Sequence, residues 1–181
     1  RFQETAFPDQ ALGRPVLGVA ERIRTMERQT VVDYLRRQYS APHMILAAAG
    51  NVDHDHLVSL AEEALSGVGT DGGSTIEPAR YAGGEYRESR DLEQVHIVLG
   101  FQGVSYREDD FYSGSVLSSL FGGGMSSRLF QEVREKHGLV YSIYSFLSPY
   151  SDDGLFAVYA GTGEEHLKTL VPIVGDELCK I

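Results

Sequence analysis

His54 and His56 are the only close pair of histidines in the sequence. A strand would present such a pair on one face, where both rings can share a metal ion. Asp53 precedes them as a ready N-cap, so a helix start is expected here instead. On a helix, residues two apart point about 200° away from each other. That favours a solvated helix start over a metal centre. His43, His96, His137 and His166 stand alone. Neither His-Glu-x-x-His nor His-x-x-Glu-His occurs, so no zincin ligand set is present. Gly-x-Ser-x-Gly is absent as well, and Gly114-Ser115 sits in an apolar helical stretch without the second glycine. The run Gly122-Gly123-Gly124-Met125-Ser126-Ser127 has no Gly-Lys-Ser/Thr after it and does not fit Gly-x-Gly-x-x-Gly. A flexible helix–helix connection is expected there rather than a phosphate loop.

The specific pattern lies from Ser127 to Ser145. It reads Ser-Arg-Leu-Phe-Gln-Glu-Val-Arg-Glu-Lys-His-Gly-Leu-Val-Tyr-Ser-Ile-Tyr-Ser. It resembles the second-domain signature of pitrilysin/insulinase-type zinc peptidases, the group that includes mitochondrial processing peptidase. In that signature a helix ends in Arg-Glu-x-x-Gly-Leu-x-Tyr. Arg134 and Tyr141, seven residues apart, match it. Upstream, Leu120-Phe121-Gly122-Gly123-Gly124-Met125-Ser126-Ser127-Arg128-Leu129 matches too. So do Phe7-Pro8, Leu12-Gly13, Pro15-Val16-Leu17-Gly18, Tyr39-Ser40-Ala41-Pro42-His43-Met44 and Ala49-Gly50-Asn51-Val52-Asp53 in the first half. The matches run in family order along nearly the whole chain.

The resemblance implies an α+β fold of ferredoxin-like units of the mitochondrial-processing-peptidase type, with an antiparallel sheet packed with helices and the first unit incomplete. It implies a parent that is a zinc-dependent endopeptidase acting on peptides. The family's His-x-x-Glu-His and later glutamate would lie upstream of Arg1, so zinc would belong to the intact parent and its ligands would lie outside this chain. The chain alone is then expected to be inactive. The implied partners are a peptide substrate and a zinc-bearing domain of the same or a partner chain. The positions of Arg134 and Tyr141 face that zinc in the family, which makes them the expected catalytic and substrate-binding residues. Their chemistry suits the role: a guanidinium donates a rigid fork and a phenol one further hydrogen bond, both to an oxygen that gains negative charge. Without the resemblance, Arg134 reads as a helix-end cation and Tyr141 as a strand aromatic. The alternative within the family is a non-catalytic partner subunit or inactive domain that binds peptide without hydrolysis. The upstream His-x-x-Glu-His motif, present or absent, separates the two.

The elements that must carry these residues are legible in outline. Residues 1–20 are rich in turn formers. Thr25 is a plausible N-cap for a helix with Val31, Val32, Leu35 and Tyr39 at helical spacing, and Pro42 stops it. Met44 to Ala49 is continuously apolar, as in a strand buried on both faces. Asp53 caps a helix whose stripe is Leu57, Leu60, Ala61, Ala64 and Leu65. The glycine-rich, apolar-poor stretch 67–84 is the expected linker between a first unit, 1–66, and a second, 85–181. In the second unit, Tyr86 to Arg90 alternates like a polar edge strand and Val95 to Phe101 is a stronger strand. Asp109 to Phe121 is expected as a helix, followed by one from Ser126 or Ser127 to Lys136, closed by Gly138. Val140 to Leu147 and Leu155 to Ala160 are expected as paired strands and Glu164 to Lys180 as a final helix. Strand and helix pairs in alternation point to antiparallel hairpins under helices.

Bulk composition narrows the partners. The 181 residues are 42% hydrophobic and 23% charged, as in a globular chain. Sixteen basic against 26 acidic residues give a formal charge of −10, which repels nucleic-acid phosphate and anionic lipid. No nucleic-acid or membrane partner is therefore expected. The single cysteine, Cys179, excludes an internal disulfide and a multi-thiolate metal site. Met44–Ala49 is far short of the ~20 apolar residues that span a bilayer, so a soluble protein is expected, its compartment undetermined. The opening at Arg1 and the helical character up to Ile181 suggest a piece of a longer protein.

Overall fold

Strands that alternate apolar and polar residues must bury one face, and helices between them supply the cover. The computed structural model describes residues 1–73 and 75–181. In chain order the elements are α1 (Phe2–Ala6), α2 (Ala20–Arg24), α3 (Arg28–Gln38), α4 (His54–Leu65), β1 (Val95–Gln102), α5 (Phe111–Gly122), a π-helix (Phe130–Lys136), β2 (Val140–Pro149), β3 (Gly154–Thr162) and α6 (Leu167–Leu178). Short 3-10 turns at Ala41–His43 and Glu164–His166 complete them. The chain forms two compact units, one of Arg1–Val16 with Pro78–Ile181 and one of Leu17–Glu77. The second junction falls inside the glycine-rich stretch 67–84, of which Ser74 lies outside the described residues.

The larger unit holds a three-stranded antiparallel sheet in the order β1-β3-β2. This is the antiparallel α+β arrangement expected from the sequence. The central strand β3 is buried along both faces except at half-buried Tyr159, which explains its small and apolar residues. On one face Ile97, Leu99, Val140, Ile143, Phe156, Val158 and Ala160 pack against Phe121 of α5, Leu129, Val133 of the π-helix, and Leu170 and Val174 of α6. Contact is tight where α5 ends. A Cβ on Gly122 would lie 2.3 Å from the Ser145 backbone nitrogen, so the first glycine of the triplet is a packing residue as well as a connection. The opposite face takes α1. Phe2 lies against Gly100, and Phe7 packs with Leu155 and Tyr81. Segment 79–82 is strapped down by hydrogen bonds from the Ala79 and Tyr81 N–H groups to Asp152 (2.7 Å) and Asp153 (3.1 Å), and from the Ala82 N–H to the Ala6 carbonyl (2.9 Å).

Several expectations fail for identifiable reasons. Met44–Ala49 forms no strand: all three strands lie within 95–162, and Ile45 is 95% exposed. An apolar run becomes a strand only beside a hydrogen-bonded neighbour, and none of the described strands pairs with it. Thr25 caps no helix start. It ends α2, and its hydroxyl donates to the Glu21 carbonyl at 2.9 Å, while Glu27 opens α3. The α4 stripe is likewise not buried, with Leu60 and Leu65 exposed. Tyr86–Arg90 is extended but unpaired. Its Tyr86, Glu88 and Arg90 side chains share one side and bond each other, with Arg90 Nη2 2.9 Å from both Glu88 carboxylate oxygens. No helix among the described residues is long and apolar enough to cross a membrane.

Candidate functional site

Arg134 and Tyr141 flank the reversal that links the π-helix to β2. The helix is anchored by Leu129 and Val133, both fully buried, and this leaves Arg134 on the exposed side. Its guanidinium lies 4.7 Å from the centroid of the Phe130 ring, four residues back, an attractive cation–π contact. The neighbouring Glu132 is taken by Lys136 Nζ at 2.7 Å. Among the described residues no carboxylate pairs with Arg134, so its donors face solvent. π-helical turns are rare and concentrate at functional sites.

The reversal itself depends on Gly138, whose φ of +62° is strained for any residue with a Cβ. The Gly138 N–H donates to the Arg134 carbonyl and the Leu139 N–H to the Val133 carbonyl, each at 3.1 Å. The chain then enters β2 through a bulge. Val140 pairs with Thr162 and Ser142 with Gly161, so Tyr141 is an extra residue without a partner in β3. The bulge explains the burial. Val140 and Ile143 are both buried although three apart, whereas a regular strand would set them on opposite faces. Tyr141 is thrown outward and is 68% exposed. Bulges of this kind re-aim side chains beside active sites.

Tyr141 also lines an open groove of about 1060 Å³ with Gly138, Tyr86, Arg90, His96 and Glu165 among its walls. Arg134 does not line it. No hydrogen bond joins Arg134 to Tyr141 among the described residues. They share an outward-facing reversal rather than a direct contact. Phe130 was not singled out in the sequence, although its four-residue spacing from Arg134 on a helix was readable. Tyr86, Arg90, His96 and Glu165 carried no signal of sharing a groove with Tyr141, because the fold brings them together from separate segments.

Local contacts account for three of the histidine positions. Asp53 caps α4 by accepting the His56 backbone N–H at 2.9 Å. His96 Nδ1 lies 2.7 Å from the Tyr159 hydroxyl, and His43 Nδ1 2.9 Å from Ser40 Oγ. Among the described residues no group of three or more His, Cys, Asp or Glu side chains is arranged to hold a metal ion.

Residues 25–181 match the family described as the peptidase M16 inactive domain. The chain belongs to this family. This M16 domain is similar to an uncharacterized zinc protease of Rickettsia bellii, 41% identical over 179 residues, covering 98% of the chain and 43% of that protein. It is 39% identical over 186 residues to an uncharacterized zinc protease of Streptomyces coelicolor, covering 98% of the chain and 40% of the relative. It thus spans less than half the length of these relatives. Its fold matches a crystal structure of a peptidase M16 inactive domain from Pseudomonas fluorescens with a TM-score of 0.86 at 21% identity, over 98% of this chain and 44% of that one. The resemblance read from Arg134, Gly138 and Tyr141 therefore identified the right family of zinc peptidases.

Proposed function

We propose that this M16 domain is part of a longer zinc-dependent endopeptidase and supplies hydrogen-bond donors to the peptide being cleaved, while a zinc-bearing domain of the same or a partner chain holds the metal. The observation that carries the reading is the setting of Tyr141. A phenol is unpaired in a bulge and turned outward, one glycine reversal away from a guanidinium that no acid neutralises. Both groups can donate: Arg134 rests against the Phe130 ring, and Tyr141 projects from the backbone of β2. Attack on a peptide carbonyl moves negative charge onto its oxygen. Donors already aimed at that oxygen lower the barrier without reorganising. On this reading the chain alone hydrolyses nothing.

The test is steady-state kinetics on the full-length, zinc-loaded protein. Arg134→Ala and Tyr141→Phe are each expected to lower kcat by about 10²–10³-fold, the loss typical of one removed transition-state donor. KM should move little, because the donors act mainly on the transition state. Wild-type turnover in both variants would make the pair structural and overturn the assignment.

A further inference from the structure

We propose that Thr162 is a positioning residue for Arg134 and Tyr141, an inference that rests on the function proposed above. Thr162 ends β3 and is fully buried. Its hydroxyl donates to the carbonyl of Leu139 at 2.5 Å, across 23 residues of chain. Leu139 lies on the short reversal between the two functional positions. Its own N–H already donates to the Val133 carbonyl in the last turn of the π-helix, and the adjacent Gly138 N–H donates to the Arg134 carbonyl. One residue is therefore tied at its N–H to the helix that carries Arg134 and at its carbonyl to the strand that backs Tyr141.

The tie matters because of the bulge. The Leu139 carbonyl precedes the first ladder pair of β2, Val140 with Thr162, and the next pair is already shifted past Tyr141. The ladder is locally disrupted at a bulge, since its extra residue makes no ladder bond. A slip of one position would turn Val140, 8% exposed, outward and Tyr141 inward, because side chains alternate across a strand. The Thr162 hydroxyl holds the residue just before the bulge and so opposes that slip. Threonine suits the position. It is fully buried, and its hydroxyl serves the Leu139 carbonyl in a buried hydrogen bond.

Thr162→Val keeps the shape and deletes the donor, whereas Thr162→Ser keeps the donor. In the full-length, zinc-loaded protein Thr162→Val is expected to lower kcat by about 10- to 100-fold with KM nearly unchanged, as for a small misplacement of catalytic groups. Thr162→Ser is expected to keep wild-type kcat. In a Tyr141→Phe background Thr162→Val should cost less than it does alone, because part of its effect acts through the Tyr141 hydroxyl. In the same full-length protein, amide hydrogen exchange at Leu139 to Ser142 should quicken in Thr162→Val and match wild type in Thr162→Ser. An undiminished effect of Thr162→Val in the Tyr141→Phe background would make Thr162 a general stabiliser and overturn the inference. So would wild-type kcat in Thr162→Val while Tyr141→Phe is impaired. Should Thr162→Val not fold, a loss of kcat in Thr162→Ser overturns it equally. Wild-type kcat in Tyr141→Phe and Arg134→Ala refutes the underlying function instead.

Discussion

Replacing Glu177 by alanine tests how the end of α6 is held to the segment that enters the π-helix. The Glu177 side chain is 6% exposed. One of its oxygens accepts Nε and Nη2 of Arg128 at 3.1 and 2.7 Å, and the other accepts Lys180 Nζ at 2.5 Å. Hydrogen bonds to charged groups contribute about 1.5–3 kcal/mol. Arg128 and Lys180 are 38% and 57% exposed, so both cations rehydrate once the acid is gone. The lower end of that range applies, about 1.5–2 kcal/mol for Glu177→Ala. At roughly 2–4 °C per kcal/mol for a chain of this size, Tm should fall by about 3–8 °C at neutral pH. Arg128→Ala should destabilise more than Lys180→Ala, because it strips a buried carboxylate of two hydrogen bonds rather than one. The pH dependence has a definite sign. The Lys180 hydrogen bond first, then that of Arg128, hold the Glu177 carboxyl below its ordinary range against the opposing effect of burial. A depressed folded value makes the contribution full above the unfolded pKa, about 4.3, and removes it as pH falls through the folded value. The Tm gap between wild type and Glu177→Gln should therefore be widest near neutrality and shrink as pH falls below the unfolded value of about 4.3. Thermal unfolding followed by circular dichroism at several pH values decides it. An unchanged Tm in Glu177→Ala, or a gap that widens on acidification, refutes the reasoning.

Two further outcomes follow from packing and from chain composition. Gly122→Ala would push a methyl to 2.3 Å from the Ser145 backbone nitrogen, so it should destabilise by about 1–3 kcal/mol, as overpacking does, whereas Gly124→Ala, with open space around it, should be near neutral. Denaturant titration of the two variants checks the contrast. We also propose a domain boundary in the stretch 67–84. Limited proteolysis should cut there first, and early cleavage inside β1 would count against it.

What could be read from the sequence is what short-range chemistry decides. Asp53 was legible as a cap because its partner, the His56 N–H, is three residues away. Helix α5, Phe111–Gly122, was expected at 109–121 from helical spacing alone. Gly138 at φ +62° followed from its place after a helix that had to reverse. Arg134 and Tyr141 were nominated by likeness to a known signature and not by geometry. The rest depended on partners far away in the chain. Nothing local marks Tyr141 as a bulge, because a bulge is a mismatch between β2 and β3 and exists only once the two are paired. Nor does the Leu139 carbonyl announce a hydroxyl 23 residues on. Met44–Ala49 has the composition of a buried strand yet remains extended and unpaired. Apolar side chains select burial, but a strand is made by the backbone hydrogen bonds of a neighbour, and a sequence read alone does not contain that neighbour's register.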